Sequence, residues 1–365
     1  MYPDNGSFNA SCATETVQGA VSSDLINGEL YWWVMSIILG LDILVAIIAT
    51  GANIVTILIY YKLGYNDTTS ISLTALAISD LGVAITTFIC VLAFLLPLMP
   101  NSPFTYGMFY TSGSAPHTLF SRVSALITTY LSVERCVCVS IPLKVKSIFT
   151  PRRTVIAMVS IFVTLFGMYP LVILRFPVGW ITFPHLNETV LGILPVTDYP
   201  TIVRYNIQAN IVSVWIPFFT FPTMIVTTIL LALALKKSKK WRDANKSMPL
   251  NLSTNKTAAK RDDGNDSSVS ESTKATSKEA RAVKMVIIIT TVFILSIIPS
   301  CMHIVAQISF PDFRPGGRYS KLYVLTNMMF LIVDSVNCSA NVIIYYNMSS
   351  RFRLAAQGLF RREAK

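Results

Sequence analysis

The sequence predicts an all-α membrane protein: a bundle of seven transmembrane helices with a short amphipathic eighth helix on the cytoplasmic surface. Of the 365 residues, 53% are apolar or aromatic and only 13% are charged. Soluble domains carry about 25% charged residues. Seven long apolar runs and an uneven distribution of Lys and Arg among the loops complete the prediction. The composition excludes a soluble enzyme, a secreted disulfide scaffold and a disordered protein.

The apolar runs set the domain organisation, because about 20 apolar residues in a helix cross the hydrocarbon core. The runs cover residues 32–60, 70–98, 106–140, 154–175, 205–235, 282–310 and 320–346. A transmembrane domain at 32–346 therefore separates an N-terminal tail, 1–31, from a C-terminal segment, 347–365. The third run is rich in Ser and Thr and contains His117 and Arg122. Such a segment needs protein around it, so we expect it in the middle of the bundle.

The N-terminal tail is polar and has no Lys or Arg, so it lacks the basic start of a secretory signal peptide. Glycosylation sequons occur in this tail at Asn5 and Asn9, and between the fourth and fifth runs at Asn187. All three asparagines are predicted glycosylation sites if this side of the membrane is extracellular.

The basic residues predict the orientation. With the N-terminus outside, 24 of the 30 Lys and Arg residues lie on the cytoplasmic side, five lie outside and Arg122 lies within the membrane. Cytoplasmic loops collect Lys and Arg, so this split predicts an extracellular N-terminus and a cytoplasmic C-terminus. It also accounts for the net charge of +11 without a nucleic-acid partner.

Two cytoplasmic segments differ in character. Residues 236–280 are rich in Lys, Ser, Asn, Asp and Thr, and this composition predicts a disordered loop. After the seventh run, a helix would place on one face Phe352, Ala355, Ala356, Leu359 and Phe360. Flanking arginines are Arg351, Arg353, Arg361 and Arg362. This pattern predicts an amphipathic helix that contacts the inner membrane lipids.

Charged residues at membrane depth are costly and therefore indicate functional sites. They are Asp42, Asp80, Arg122, Glu134, Arg135 and Asp334. Asp80 needs polar partners, for which the candidates are Asn53, Ser124, Asn337, Ser339 and Asn341. Two interpretations stay open for it: a structural hydrogen-bond network, or a Na⁺ site formed by Asp80, Ser124, Asn337 and Asn341. No other cofactor is predicted, and no cysteine pair has metal-ligand spacing.

Short motifs occur in a fixed order along the runs. Asn53 and Asp80 lie in the first and second runs, and Glu134-Arg135-Cys136 ends the third, before Pro142-Leu143. The later motif residues are Pro222, Phe293, Pro299, Asn341-Val342-Ile343-Ile344-Tyr345 and Ser350-Arg351-Phe352-Arg353. In this order they resemble the rhodopsin-like (class A) family of G-protein-coupled receptors, over roughly residues 30–362.

The chain departs from the family pattern at several positions. In the family, a disulfide usually joins the top of helix three to the second outer loop. Here Tyr110 occupies the helix-three cysteine position, and residues 176–204 contain no cysteine. That disulfide therefore cannot form, and none is predicted. Ile297 and Leu230 replace the helix-six tryptophan and the helix-five tyrosine. The spacing Asn337-x-Ser339-x-Asn341 is similar to that of invertebrate peptide-type and molluscan chemosensory receptors, which marks a divergent lineage.

The resemblance implies a receptor that binds an extracellular peptide or small molecule and activates a heterotrimeric G protein. It implies coupling or switching roles for Glu134, Arg135, Pro142, Leu143, Glu279, Asn341 and Tyr345. Among these, Glu279 occupies the family position, at the cytoplasmic end of helix six, of an acidic residue that helps to hold Arg135 in the resting receptor. The candidate ligand contacts are His117, Ser121, Arg122, His303, Gln307 and Asp334.

Three positions narrow the ligand class. His117 stands where amine receptors of the family have an aspartate, which argues against a monoamine ligand. Ser335 stands where opsins have the retinal-binding lysine, which argues against a photopigment. Within the membrane, Arg122 needs a carboxylate partner or a position that faces water. Asp334 is its predicted partner, and an anionic ligand group is the alternative.

Other function classes fit the sequence less well. Transporters often contain internal repeats, and no repeat relates the two halves of this chain. No GxSxG, HExxH or paired-carboxylate motif supports a membrane enzyme. A ligand-independent receptor of the same fold stays open. The expected location is the plasma membrane, as a multi-pass protein.

Overall fold

The computed structural model describes residues 26–105, 107–141, 145, 147–183, 188–246, 265–314 and 317–363. It describes only the backbone of residues 110, 183, 238–246, 265–279 and 360–363. The predicted sites at Asn5, Asn9, Asn187, Pro142 and Leu143 lie outside the described residues, as does the side chain of Glu279.

Within the described residues, seven helices are long and apolar enough to cross a membrane, which agrees with the sequence prediction. Helix α1 spans Gly28–Leu63, α2 spans Thr68–Leu95 and α3 spans Ala115–Ser140. Helix α4 comprises Pro151–Phe166 and Tyr169–Arg175, and α5 comprises Tyr199–Asn210 and Ile216–Lys246. Helix α6 spans Asn265–Ser309, α7 spans Ser320–Met348 and α8 spans Ser350–Glu363.

Capping residues explain where several helices begin. The Asp67 carboxylate accepts a hydrogen bond from the Ser70 backbone amide at 3.2 Å, which starts α2. Asp198 accepts from the Thr201 amide at 3.0 Å at the start of α5. The hydrogen bonds from Thr201 lower the pKa of Asp198, so this cap stays ionised at neutral pH. Side chains of this type satisfy the amides that a helix start leaves unpaired.

Helix α3 lies in the middle of the bundle, as predicted, where it contacts α2, α4, α5 and α6. Helix α1 packs on α2 and α7. Four apolar side chains of α3 are almost fully buried: Leu119, Val123, Ile127 and Leu131. Their spacing of four residues places them along one side of the helix. The polar residues of α3 are therefore enclosed by protein rather than lipid.

Helix α8 packs against the bundle through part of the predicted apolar face. The Phe352 ring lies 5.5 Å from the Tyr60 ring of α1 and 5.7 Å from the Tyr345 ring of α7. Ala356 is also buried, whereas Leu354 is exposed. The predicted contact of this helix with lipids stays a prediction.

The predicted disordered loop at 236–280 is too long. Helix α5 continues to Lys246 and α6 already begins at Asn265, so helical backbone occupies both ends of that segment. Residues 247–264 lie outside the described part. Extending an existing helix adds one hydrogen bond for each residue that is ordered, and Lys, Glu and Ala are good helix formers. Polar composition alone therefore overestimated the loop.

A β-hairpin between α4 and α5 was not predicted. Strands β1, Val178–Phe183, and β2, Glu188–Ile193, pair in antiparallel register. The Leu191 amide donates to the Pro103 carbonyl at 2.5 Å, and the Thr105 amide donates to the Leu191 carbonyl at 3.1 Å. In the described part of the chain the cysteines form no disulfide. Backbone hydrogen bonds therefore join the hairpin to the α2–α3 connection.

A close helix contact depends on Gly113. This residue lies in the π-helical turn Phe109–Ser114 before α3, where an added Cβ would lie 2.9 Å from the Cys90 Cα. We expect Gly113→Val to destabilise the protein by about 1–3 kcal/mol, because backbone cannot yield as a flexible side chain can. The measurement is the thermal unfolding midpoint of the purified protein in detergent.

Gly40→Val is the matched control, since a Cβ at Gly40 in α1 would meet nothing within 4 Å. Equal losses for the two valine variants would contradict the close-contact explanation and would leave only the general cost of valine in a helix.

Candidate functional site

A polar cluster joins α3 and α7 at the end of the bundle that carries the β-hairpin, hereafter the hairpin end. His117 Nε2 lies 3.3 Å from Asp334 Oδ2, and the Ser121 hydroxyl donates to the same oxygen at 3.0 Å. His117 and Ser121 are four residues apart and share one face of α3. Together they hold the Asp334 carboxylate, whose side chain is 27% exposed.

Hydroxyl groups surround His117 on its other side. Its Nδ1 lies 3.4 Å from the Thr86 hydroxyl and 3.5 Å from the Thr87 hydroxyl of α2. Thr87 in turn lies 3.2 Å from the Ser335 hydroxyl of α7. This layer therefore ties α2, α3 and α7 together. Sequence analysis did not identify the threonines as part of the site, although adjacent threonines in an apolar run were a visible signal.

Arg122 does not form the predicted ion pair with Asp334. The next residue along a helix turns by about 100°, so the face of Ser121 that meets α7 is not the face of Arg122. Arg122 is 7% exposed, and its Nε has no hydrogen-bond partner among the described residues. Asp334 acts electrostatically on the guanidinium without the short contact of an ion pair. The direct pairing prediction was therefore wrong.

Two other predicted ligand contacts lie apart from this cluster. The His303 ring of α6 packs against the rings of Phe313, Tyr323 and Phe330 at 5.1, 5.1 and 4.9 Å. Its Nδ1 lies 3.2 Å from a hydroxyl of α7. His303 therefore helps to join the hairpin ends of α6 and α7. Gln307 is exposed.

Asp80 forms a second, fully buried network in the middle of the bundle. The Ser124 hydroxyl donates to its Oδ1 and the Asn341 amide donates to its Oδ2, each at 2.7 Å. The carboxylate is thus held from α3 and from α7. Asn53 donates to the carbonyls of Ala49 and, at 3.5 Å, Cys338.

The donor set allows a test of the Na⁺ interpretation. Carboxylate and hydroxyl oxygens suit a hard cation, so Asp80 and Ser124 could hold one, and Asn337 is buried on the same helix as Asn341. However, hydrogen bonds from protein donors already reach both oxygens of Asp80. The hydrogen-bond interpretation accounts for the buried carboxyl by itself, and the Na⁺ site stays a prediction.

A charged pair lies at the opposite end of the bundle, hereafter the α8 end. Arg135 Nη2 donates to Glu134 Oε1 at 3.1 Å. Thr68 donates to the same Glu134 oxygen, and Arg135 donates to the Thr69 hydroxyl. The first turn of α2, started by the Asp67 cap, therefore holds both charges. Sequence analysis did not identify Thr68 and Thr69.

Hydroxyl pairs join α3, α5 and α6 near this charged pair. Thr227 of α5 donates to Ser132 of α3 at 2.9 Å, and Thr228 donates to Thr290 of α6 at 2.9 Å. The second of these bonds holds α6 against α5. Tyr345 lies apart from them, buried between α1 and α8, with its ring 6.0 Å from the Tyr60 ring.

The two residues that replace family aromatics have different surroundings. Ile297 is buried in an apolar cluster with Ala125, Met224 and Phe293. Leu230 is 49% exposed on the outside of α5. Apolar packing therefore occupies the position of the helix-six tryptophan, and no hydroxyl replaces the helix-five tyrosine.

A comparison with protein families identifies the architecture. The family described as 7 transmembrane receptor (rhodopsin family) matches residues 51–345. The match begins in α1 and ends in α7, so it includes the Asp334 cluster, the Asp80 network and the Arg135 pair. This family is a class of multi-pass membrane receptors, not of enzymes. The chain therefore belongs to the rhodopsin family of seven-transmembrane receptors.

Proposed function

We propose that this receptor lies in the plasma membrane, binds an extracellular peptide or chemosensory small molecule at the hairpin end, and activates a heterotrimeric G protein. The observation that carries the proposal is the half-buried Asp334, which links α7 to His117 and Ser121 of α3. A ligand that enters this end of the bundle meets a polar link between two helices.

The ligand acts by changing that link. A donor group on the ligand competes for Asp334, and an acceptor group competes for His117. Arg122 follows Ser121 in α3, and its Nε has no hydrogen-bond partner among the described residues. An anionic ligand group that reaches this guanidinium would gain a charge-assisted hydrogen bond. If the ligand binds the active arrangement of the helices more tightly than the resting arrangement, it shifts the population toward the active one.

The α8 end provides the output. At rest, Glu134 and Thr69 hold the Arg135 guanidinium. In the active arrangement Arg135 leaves these partners and α6 moves outward, so that a G-protein helix enters the cleft. Among the described residues, the resting contacts of α6 with α5 are one hydroxyl pair, Thr228 with Thr290, and apolar packing. An outward movement of α6 can break these contacts.

The test is a ligand-panel screen in cells that report calcium and cyclic AMP, followed by a double-mutant cycle. His117→Ala and Asp334→Ala should each reduce the potency of an identified agonist. The double variant should lose little more than either single variant, because the two side chains act as a unit.

Asp312→Ala is the matched control, since this aspartate lies at the same end of the bundle and is exposed. Losses at His117 and Asp334 that simply add would contradict the proposed link. A panel in which no compound or peptide alters signalling of the surface-expressed protein would instead favour a ligand-independent receptor.

The proposed orientation makes a separate prediction. If the N-terminus is extracellular, Asn5, Asn9 and Asn187 carry glycans, whereas the sequons between α5 and α6 do not. Peptide-N-glycosidase should change the gel mobility of the parent protein but not that of the triple Asn→Gln variant. A mobility shift that persists in the variant would indicate glycosylation of the α5–α6 segment and an inverted topology.

A further inference from the structure

A cavity of about 400 Å³ lies between α3, α4 and α5 at the hairpin end. Its wall comes from the start of α3, the end of α4 and the first half of α5. Ser114, directly before α3, and Thr118 of α3 are among the residues that line it. His117, Ser121 and Asp334 are not among the lining residues, so the Asp334 cluster is not part of the cavity wall.

One buried polar group lines this cavity without a partner. Gln208 of α5 is 6% exposed, and its Oε1 has no hydrogen-bond partner among the described residues. A buried amide oxygen is normally paired, because leaving it unpaired is costly. The π-helical turn Ile211–Trp215 follows directly, and turns of this kind are frequent at functional sites.

The rest of the lining is apolar or neutral. Leu119, Val172, Phe176 and Val212 supply apolar surface. The Tyr205 ring meets the Phe176 ring edge-on at 5.1 Å and forms one wall with it. The residues that line the cavity include no acidic or basic side chain, although the Arg175 guanidinium lies 5.0 Å from the Phe176 ring centroid. An ionised ligand would therefore lose its hydration without gaining a partner of opposite charge in the lining itself.

We propose that this cavity is a second ligand site, separate from the Asp334 cluster, for a neutral amphiphile. The apolar body of the amphiphile packs against Leu119, Val172 and Val212, and its hydroxyl group forms a hydrogen bond with the side-chain amide of Gln208. The volume lies within the range of about 300–1,000 Å³ that is typical of small-molecule sites. An occupant contacts α3, α4 and α5 at once and so stabilises their present arrangement.

The probe is a ten-carbon primary alcohol that carries a diazirine, applied to the full-length receptor in lipid nanodiscs. After photolysis, mass spectrometry should locate label on the lining of α3 and α5, and unlabelled decanol should reduce that label. Gln208→Leu removes the hydrogen-bonding amide with little change in side-chain volume. It should raise the decanol concentration needed for half-protection about tenfold.

Gln357→Leu is the matched control, because this glutamine is exposed on α8 at the other end of the bundle. It should leave labelling of the cavity unchanged. Val212→Trp should abolish labelling by filling the cavity, and it tests the site even if Gln208→Leu fails to reach the membrane.

Decane and decanoate separate the alternatives. Protection by decane as strong as by decanol, or an unchanged half-protection in Gln208→Leu, would show a cavity that takes lipid chains without recognising a hydroxyl. Equal protection by decanoate would contradict selection for a neutral ligand. Label that decanol reduces in the parent and that persists unchanged in Val212→Trp would place the site elsewhere.

Discussion

Arg135→Ala should abolish G-protein activation while leaving the amount of receptor at the cell surface unchanged. The Arg135 side chain is 14% exposed and contacts Glu134 and Thr69, so its removal deletes one contact within α3 and one contact with α2. The proposed active state needs this guanidinium in the cleft, and alanine cannot replace it. Calcium and cyclic AMP responses to an agonist, at matched surface level, provide the measurement.

Breaking the resting contacts without removing Arg135 should have the opposite effect. Glu134→Gln should raise basal signalling by as much as tenfold, since a tenfold population shift needs only about 1.4 kcal/mol. Thr69→Val should raise it less, because it removes a neutral acceptor. Basal signalling should disappear in Glu134→Gln/Arg135→Ala, where the required cation is absent.

Thr50→Val is the control for the threonine change, because the Thr50 hydroxyl bonds only within α1, to the Ala46 carbonyl at 2.8 Å. An Arg135→Ala receptor that signals like the parent would overturn the proposed role of the charged pair. The companion prediction, that Glu279→Ala also raises basal signalling, rests on the sequence alone.

Asp80→Ala should cause a large loss of stability for a single substitution in the bundle. It leaves the Ser124 hydroxyl and the Asn341 amide without their acceptor in a site that is 1% exposed. Each buried group left unpaired costs about 1–3 kcal/mol. The unfolding midpoint in detergent should fall by several degrees. The unfolding midpoint of Asp80→Asn should fall less, since the asparagine amide oxygen can still accept one hydrogen bond.

The same variants separate the two interpretations of Asp80. If a Na⁺ ion binds there, replacing choline chloride by sodium chloride should raise the unfolding midpoint of the parent but not that of Asp80→Ala. A hydrogen-bond network alone predicts equal midpoints in the two salts. Asp312→Ala controls for the loss of an exposed carboxylate. An Asp80→Ala protein as stable as the Asp312→Ala protein would contradict the structural role of the network.

Local patterns were sufficient for the helices but not for all of their boundaries. The first apolar run, at 32–60, lies within the observed Gly28–Leu63, because helix length and apolar content are properties of one segment. The α5–α6 connection was misjudged because a polar composition is compatible with both a loop and an extended helix. The hairpin depends on backbone pairing between β1 and β2 and, at Leu191, with the α2–α3 connection, which composition does not encode.

The candidate sites show the same division. That Asp80 needs polar partners follows from its depth in an apolar run, and Ser124 and Asn341 were among the candidates. The choice of Arg122 as the partner of Asp334 was wrong, because charge complementarity says nothing of the direction in which each side chain points. His117 and Ser121 reach Asp334 because they lie on the face of α3 that meets α7.

The sequence by itself determined the class of protein, the number and order of the membrane helices, and the depth of each charged residue. These follow from hydrophobicity and spacing, which act along one segment at a time. Only the tertiary structure decided which polar groups meet, such as Asp334 with His117 and Arg135 with Thr69. Such contacts depend on the rotation of each helix about its axis, which is set by packing against all of its neighbours at once.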